Sequence, residues 1–357
     1  MSANGTLPRL TTNLPGIDEA RVTRWLTDHL EGIEPPVSFS LIAAGGSNLT
    51  FRAVDANGTA WALRRPPATA VLATAHDVVR EHKILDALAR DGSVPVPAAV
   101  ALCEDVDVTG APFLVMGFVD GTILRTAADA DEMSPHAAKV ATESLVDTQV
   151  AMHALDPDAI GLGDLTRHHT RYLERQLARW HRQVDSARVR ELPLLDDLHE
   201  RLVRTVPAES GAPSIVHGDY RFDNTVLDDD ARVCAVLDWE LCTIGDAVAD
   251  LAWSLRYWTD PGDQHTFLDS SPTLAPVFPR RDAVAAMYAE RSGRALDALG
   301  WLEVFSFWKM ACLVEGVYVR RLRGAHGGAS EGPDPSHIAN RVEMLLQHAR
   351  DVSDGVL

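Results

Sequence analysis

Within Ile215–Asp250, reading IVHGDYRFDNTVLDDDARVCAVLDWELCTIGDAVAD, the chain gathers His217, Asp219, Asn224 and Asp238 between strand-like apolar runs. Two carboxylates and an amide at these spacings suit Mg²⁺-dependent phosphoryl transfer. One carboxylate takes the proton of an attacking hydroxyl, while the amide oxygen and the other carboxylate hold the metal. Asp219, four residues and Asn224 make a short loop that offers both side chains to one small volume, so Asp219 can orient a hydroxyl and accept its proton. Asp238 follows Asn224 by 14 residues at the end of the apolar run Val233–Leu237. That distance suits a β-hairpin returning to the same place, with Asn224 and Asp238 as metal ligands. The plainer alternative makes Asp228, Asp229 and Asp230 an ordinary turn and the other acids solvated, but four spaced residues match together. His217 is expected to brace the loop, since Asp219 occupies the better position for a base.

The elements that must position these residues are a strand-rich first third and a helical remainder, an α+β, two-lobed architecture. Asp18–Leu30 carries Val22, Trp25, Leu26 and Leu30 at helical spacing. Ser38–Ala43, Thr50–Val54 and Ala60–Arg64 read as strands, with Asn57-Gly58 as the turn between the last two. A helix over Ala75–Arg90 precedes strands Ala99–Glu104 and Pro112–Phe118. Helices are then expected over Ser134–His153, His169–Gln183, Pro193–Val203, Asp246–Trp258, Arg281–Arg291, Leu296–Gly316 and Pro335–Asp351, interrupted by strand, loop and strand within Ile215–Trp239. A hinge near Val119-Asp120-Gly121 would divide residues 1–118 from 119–357.

The 33 basic and 51 acidic residues leave a formal charge of −18, which argues against nucleic acid as a partner. It accommodates a cationic ligand or simply an acidic surface. Cys103, Cys234, Cys242 and Cys312 show no metal or disulfide spacing and read as thiols of a reduced cytosol. The polar start MSANGTLPRLTT lacks a signal-peptide core, and Lys309 and Glu315 interrupt the longest apolar region, Val304–Val319. A cytoplasmic protein with no membrane partner is expected. Oligomeric state is not legible.

HGDYRFDN followed by LDWE resembles the catalytic loop and metal segment of the aminoglycoside phosphotransferase and choline kinase family, which shares the protein-kinase fold. The resemblance covers roughly Ser38–Arg323. AHDVVREHKIL, PFLVMGFVDG and WKMACLVEGVYVRRLRGA are most similar to the branch associated with acyl-CoA dehydrogenases. It implies Asp219 as catalytic residue, Asn224 and Asp238 as Mg²⁺ ligands, and ATP as cofactor. It also implies that residues 1–118 form a nucleotide-binding lobe and 119–357 a helical lobe carrying the substrate site.

In that family a strand contacts ATP where this chain has Trp61-Ala62-Leu63-Arg64. Alternation puts Ala62 and Arg64 on one face, Ala62 leaving room for adenine and Arg64 reaching phosphates. The family's usual residue is Lys; Arg keeps the charge and replaces a point ammonium with a planar fork. Arg65 is the alternative, though its parity points it away. Glu81 shares a helix face with Val78, Leu85 and Leu88, so it is expected to pair with Arg64, a boundary position reaching solvent being the alternative. Gly45-Gly46-Ser47 could place backbone N–H groups over phosphates, and Met116-Gly117-Phe118 resembles the hinge that meets adenine. Asp246 is expected as an N-cap and Asp250 as a brace of the catalytic loop. Glu240 faces metal or substrate, or merely closes the loop.

The leading expectation is an ATP- and Mg²⁺-dependent phosphotransferase acting on a small-molecule hydroxyl, aminoglycoside-like or a hydroxylated metabolite such as an acyl-CoA. The alternative is a weakly active or inactive nucleotide-binding regulatory module, suggested by Arg64. A serine hydrolase is excluded by the lack of a GxSxG motif. For an anionic acceptor, Arg256, Arg320, Arg321 and Arg323 are candidate pocket cations.

Overall fold

The computed structural model describes residues 14–44, 48–67, 78–263, 266–267, 270–324 and 334–356. The chain divides into two compact units, Met1–Arg90 with Val96–Val119, and Asp91–Pro95 with Asp120–Leu357.

In the first unit, α1 (Glu19–His29) begins where Asp18 accepts the Arg21 N–H, satisfying a donor that the helix itself leaves open. Strands β1 (Ser38–Ala44), β2 (Leu49–Val54) and β3 (Ala60–Arg65) precede α2 (Val78–Asp91). Then come β4 (Ala99–Cys103), the single turn α3 (Val106–Thr109) and β5 (Phe113–Gly117). The sheet runs β1-β2-β3-β5-β4 with antiparallel neighbours. Its β2–β3 turn is built by Asp55, whose Oδ1 accepts the N–H groups of Asn57 and Thr59, with Gly58 at φ 87°. Period-two alternation drives Phe51, Leu63, Phe113 and Val115 into a core with Val22 and Leu26 of α1.

The second unit opens with α4 (Pro135–Ala154), capped by Ser134 and carrying proline at its first position. It continues with α5 (Tyr172–Ala187) and α6 (Pro193–Arg204). Four short strands follow: β6 (Ser214–Val216), β7 (Thr225–Leu227), β8 (Val233–Val236) and β9 (Thr243–Gly245). Helices α7 (Ala247–Tyr257), α8 (Arg281–Ser292), α9 (Leu299–Leu322) and α10 (Pro335–Val356) complete it. The strand, loop, strand expectation was too simple here. β6 pairs with β9, and β7 with β8, so two separate two-stranded ladders bracket the acidic residues.

A core of α5, α6, α7, α9 and α10 side chains, including Leu195, Leu198, Phe305, Trp308 and Leu346, fixes the platform beneath those ladders. Trp308 is fully buried and its indole N–H donates to the Leu195 carbonyl at 3.0 Å, so this large core side chain leaves no unpaired donor of its own. Among the described residues, no helix is long and apolar enough to cross a membrane.

Candidate active site

The loop after β6 is held from below. Asp250, one turn into α7, accepts the Gly218 N–H at 2.8 Å and the His217 N–H at 3.2 Å. His153 at the end of α4 places Nε2 3.2 Å from the same carboxylate and Nδ1 2.7 Å from the Tyr288 hydroxyl. Burial pushes the Asp250 carboxyl up, but the bond and charge of His153, the charge of His217 and the Gly218 N–H outweigh it, and the group lies below the ordinary aspartate value. Gly218 is required by geometry: at φ 83° it would carry any Cβ to 3.1 Å from the Leu241 backbone oxygen. Asp246 caps α7 through the Ala249 N–H at 2.9 Å and also takes the Ser210 hydroxyl. Tyr220, fully buried, anchors the loop to α4 through the Leu145 carbonyl at 2.8 Å.

On this support Asp219 is recessed, with its side chain 20% exposed. Asn224 donates from Nδ2 to both the Asp219 backbone oxygen and Oδ2 at 2.9 Å, so the structure brings these two sequence-marked residues together. Arg221 Nε lies 3.5 Å from Oδ2, and the Tyr257 hydroxyl from the end of α7 lies near the carboxylate. Burial pushes the Asp219 carboxyl up from the ordinary value; Arg221, Tyr257 and His217 oppose the shift and Asp238 adds to it. Spacing alone marks neither Arg221 nor Tyr257. Arg221 lies inside the HGDYRFDN motif and was legible there, whereas Tyr257 is far along the chain with no local signal. Arg221 stacks 4.8 Å over the Tyr257 ring and pairs with Asp223 at 3.0 Å, and Asp223 also meets Arg125 at 3.1 Å.

The β7–β8 hairpin brings Asp238 back toward Asn224. Leu237 N–H donates to the Asn224 carbonyl at 2.8 Å, and the Leu237 carbonyl lies 2.9 Å from His217 Nε2. Trp239, fully buried, ties its indole N–H to Val236. Asp238 itself takes φ 63°, a left-handed conformation costly for a residue with a Cβ and often found where function requires a particular aim. Because Asn224 spends its NH₂ on Asp219, its amide oxygen is turned away as a neutral donor. An amide oxygen and the Asp238 carboxylate are both hard-oxygen donors, the type that Mg²⁺ takes. Glu240 lies in the single turn Trp239–Leu241, partly buried.

In the first unit, Arg64 Nε and Glu81 Oε2 lie 3.1 Å apart, with the glutamate side chain 3% exposed. A buried pair of this kind adds little net stability, yet loss of one partner strands the other charge. Arg65 occupies the opposite face, fully buried, and reaches the Pro15 carbonyl at 3.4 Å. Ala62 is paired in register with Met116 across β3 and β5, and Phe118 lies beneath the Arg52 guanidinium at 4.9 Å. The N–H groups of Gly117 and Phe118 donate to Ala98 and Ala60 carbonyls. Gly45, Gly46 and Ser47 lie outside the described residues.

The cations suggested for an anionic acceptor differ in their surroundings. Arg256 is buried against Glu303, and burial pulls its guanidinium down to about 10. Arg320 and Arg323 are exposed at the end of α9, and Arg321 is partly buried there. The four cysteines are free, three buried and Cys234 partly so.

Comparison with known proteins shows the family. The model of the phosphotransferase enzyme family matches residues 38–302. Acyl-CoA dehydrogenase family member 11 of Gallus gallus is 32% identical over 350 residues, covering 94% of this chain and 43% of that protein. The Homo sapiens protein of the same name is 30% identical over 348 residues, with the same coverage. The chain thus spans less than half the length of these curated relatives. Among solved structures, a Ralstonia eutropha protein assigned as an aminoglycoside phosphotransferase superposes with a TM-score of 0.78 at 29% identity, covering 95% of this chain and 99% of the other. The GDP complex of aminoglycoside 2'-phosphotransferase-IIIa, at 15% identity and a TM-score of 0.63 over 94% and 99%, shares the fold. With the family model matching most of its length and this kinase-like α+β fold, the chain belongs to the phosphotransferase enzyme family.

Proposed function

We propose that the protein transfers the γ-phosphate of ATP to a hydroxyl of a small molecule in a Mg²⁺-dependent reaction. The observation that carries this is Asp219, a recessed carboxylate with a raised proton affinity, aimed by Asn224 and flanked by Arg221 on a loop braced by Asp250. Such a group is suited to align an acceptor hydroxyl and take its proton as the O–P bond forms. Asn224 and Asp238 would hold Mg²⁺, which when bound neutralises developing phosphate charge. Arg64, positioned by Glu81, would meet donor phosphates, with Ala62, Met116 and Phe118 beside the base and Gly45, Gly46 and Ser47 as the phosphate loop. In this reading catalysis comes from positioning and charge compensation. The acceptor is a hydroxylated metabolite, an acyl-CoA among them, or an aminoglycoside-like compound, and the setting is the cytoplasm.

The test is a panel of hydroxylated compounds incubated with ATP and Mg²⁺, with phosphorylated product read by mass spectrometry. Product that disappears with Asp219→Asn, while ATP binding persists, supports the reading. ATP binding without product across the panel favours the regulatory module.

A further inference from the structure

Lysine is rare in this chain: Lys83, Lys139 and Lys309 stand against 30 arginines. Lys139 is a surface residue facing Glu143 at 3.7 Å. Lys309 lies in the middle of α9, in the WKMACLVEG run, where its immediate neighbours build the helical core. Its Nζ is 3.7 Å from the centre of the Trp253 ring and 5.9 Å from that of Trp180. The guanidinium of Arg179, on α5, lies 5.3 Å over the other partner, Trp180. Among the described residues neither Lys309 nor Arg179 forms an ion pair, in a chain carrying 51 acidic side chains.

An ammonium in such a place costs more than the methionine or leucine that would fill the same space, and an aromatic face returns only part of that cost. Burial pulls the Lys309 ammonium down to about 8, with Asp250 and Asp219 drawing it up and Arg179 pressing it down. The influence of Asp219 follows from the packing. Trp253 and Tyr257 are four residues apart on α7 with their rings 6.1 Å apart, and Tyr257 stands against the Asp219 carboxylate. The Trp253 indole N–H, on a side chain 5% exposed, has no acceptor of good geometry among the described residues, with the Tyr257 hydroxyl nearby. An ammonium and an indole N–H therefore lie together next to the site. Arg171, just before α5, and Arg175, Arg179 and Arg182 along it line one groove with His168 and Thr243.

We propose that Lys309, with Arg179 and the Trp253 N–H, receives an oxyanion carried by the phosphate acceptor, a carboxylate or a phosphate group. It thereby selects anionic hydroxylated molecules over polycationic ones. The word acceptor rests on the function proposed above; the anion site does not. A half-buried cation beside the acceptor would hold the molecule at a fixed distance from Asp219, and the α5 arginines would extend the same attraction along a longer anion.

Three lysines make a direct test practical. The full chain, reductively methylated with ¹³C-formaldehyde, retains every lysine charge and shows one resolved methyl signal set per lysine, with Lys309→Met assigning the signal of interest. Inorganic pyrophosphate and acetate are titrated separately at constant ionic strength. The expected result is a saturable shift of the Lys309 signal with at least one of the two, while those of Lys83 and Lys139 stay in place. Which anion binds distinguishes a phosphate from a carboxylate. Arg179→Met should weaken that binding about tenfold, the loss of one charge-assisted contact. A Lys309 signal unmoved by both anions, or one that moves only in parallel with the other two, overturns the proposal. Because the readout is binding to a protein performing no chemistry, an inactive kinase would leave this result standing, and an active kinase would not rescue a failed titration.

Discussion

Asp219 and Asp250 are recessed aspartates of the same unit, joined through one loop, and their surroundings drive them in opposite directions. Asp250 collects two backbone N–H groups and His153, and these overcome burial, so its charge is stabilised. Asp219 has Asn224, Arg221 and Tyr257 about it, yet burial and the nearby Asp238 prevail and its charge is raised in energy. Burial is common to both; the donors and charges around each decide the sign. A carboxylate with its hydrogen bonds filled is scaffold, and one left partly wanting is ready to accept a proton.

The largest expected effect separates the two directly. Asp219→Asn should cut phosphoryl transfer about 10³-fold or more while melting at the same temperature or higher, since it removes a charge the fold resists. Loss of activity together with a collapsed melting transition would make Asp219 a second scaffold residue. Asp250→Ala should instead cost about 3–5 kcal/mol in urea unfolding, because His153 and the loop N–H groups lose their partner. A loss under about 1 kcal/mol would erase the contrast.

A pH series then tests the signs. Asp250, with its pKa depressed by folding, contributes stability above the ordinary aspartate value that is lost as pH falls through its lowered folded value. Asp219, raised, contributes the reverse: stability present at low pH and lost as pH rises through its folded value. Acid unfolding of the Asp250→Asn variant should therefore be shallower than wild type, and that of Asp219→Asn steeper. Transfer activity should rise with pH through a midpoint above the ordinary aspartate value, as Asp219 becomes the base. In the other unit, Arg64→Lys should change ATP affinity only about three- to tenfold in calorimetry, by replacing a fork with a point charge. Arg320→Ala and Arg323→Ala, exposed at the end of α9, should change neither binding nor stability beyond about 0.5 kcal/mol.

Much of the fold is readable from the chain because its determinants are local. The Ala60–Arg64 strand, the Asn57-Gly58 turn and the proline start of α4 each depend on a few neighbouring residues. The Asp219–Asn224 loop is readable for the same reason. What escaped depends on distance. The β6–β9 pairing joins residues far apart around a hairpin, and Tyr257, His153 and Tyr288 reach the site from three different helices. Lys309 was visible only as a charge that spoils a membrane span; the two tryptophans that give it a setting come from α5 and α7. Arg256, a candidate pocket cation, is paired with Glu303 of α9, a partner that its local sequence does not reveal.

The left-handed backbone at Asp238 has a consequence for anyone who engineers this chain. Glycine there would relieve about 1–2 kcal/mol of conformational cost. Asparagine at 219 and methionine at 309 would relieve electrostatic ones. A library sorted only for heat tolerance would enrich all three changes and drift toward a sturdier, inert protein. Positions at which stabilising substitutions come easily in such a screen would trace the site from the outside, without a ligand ever being known.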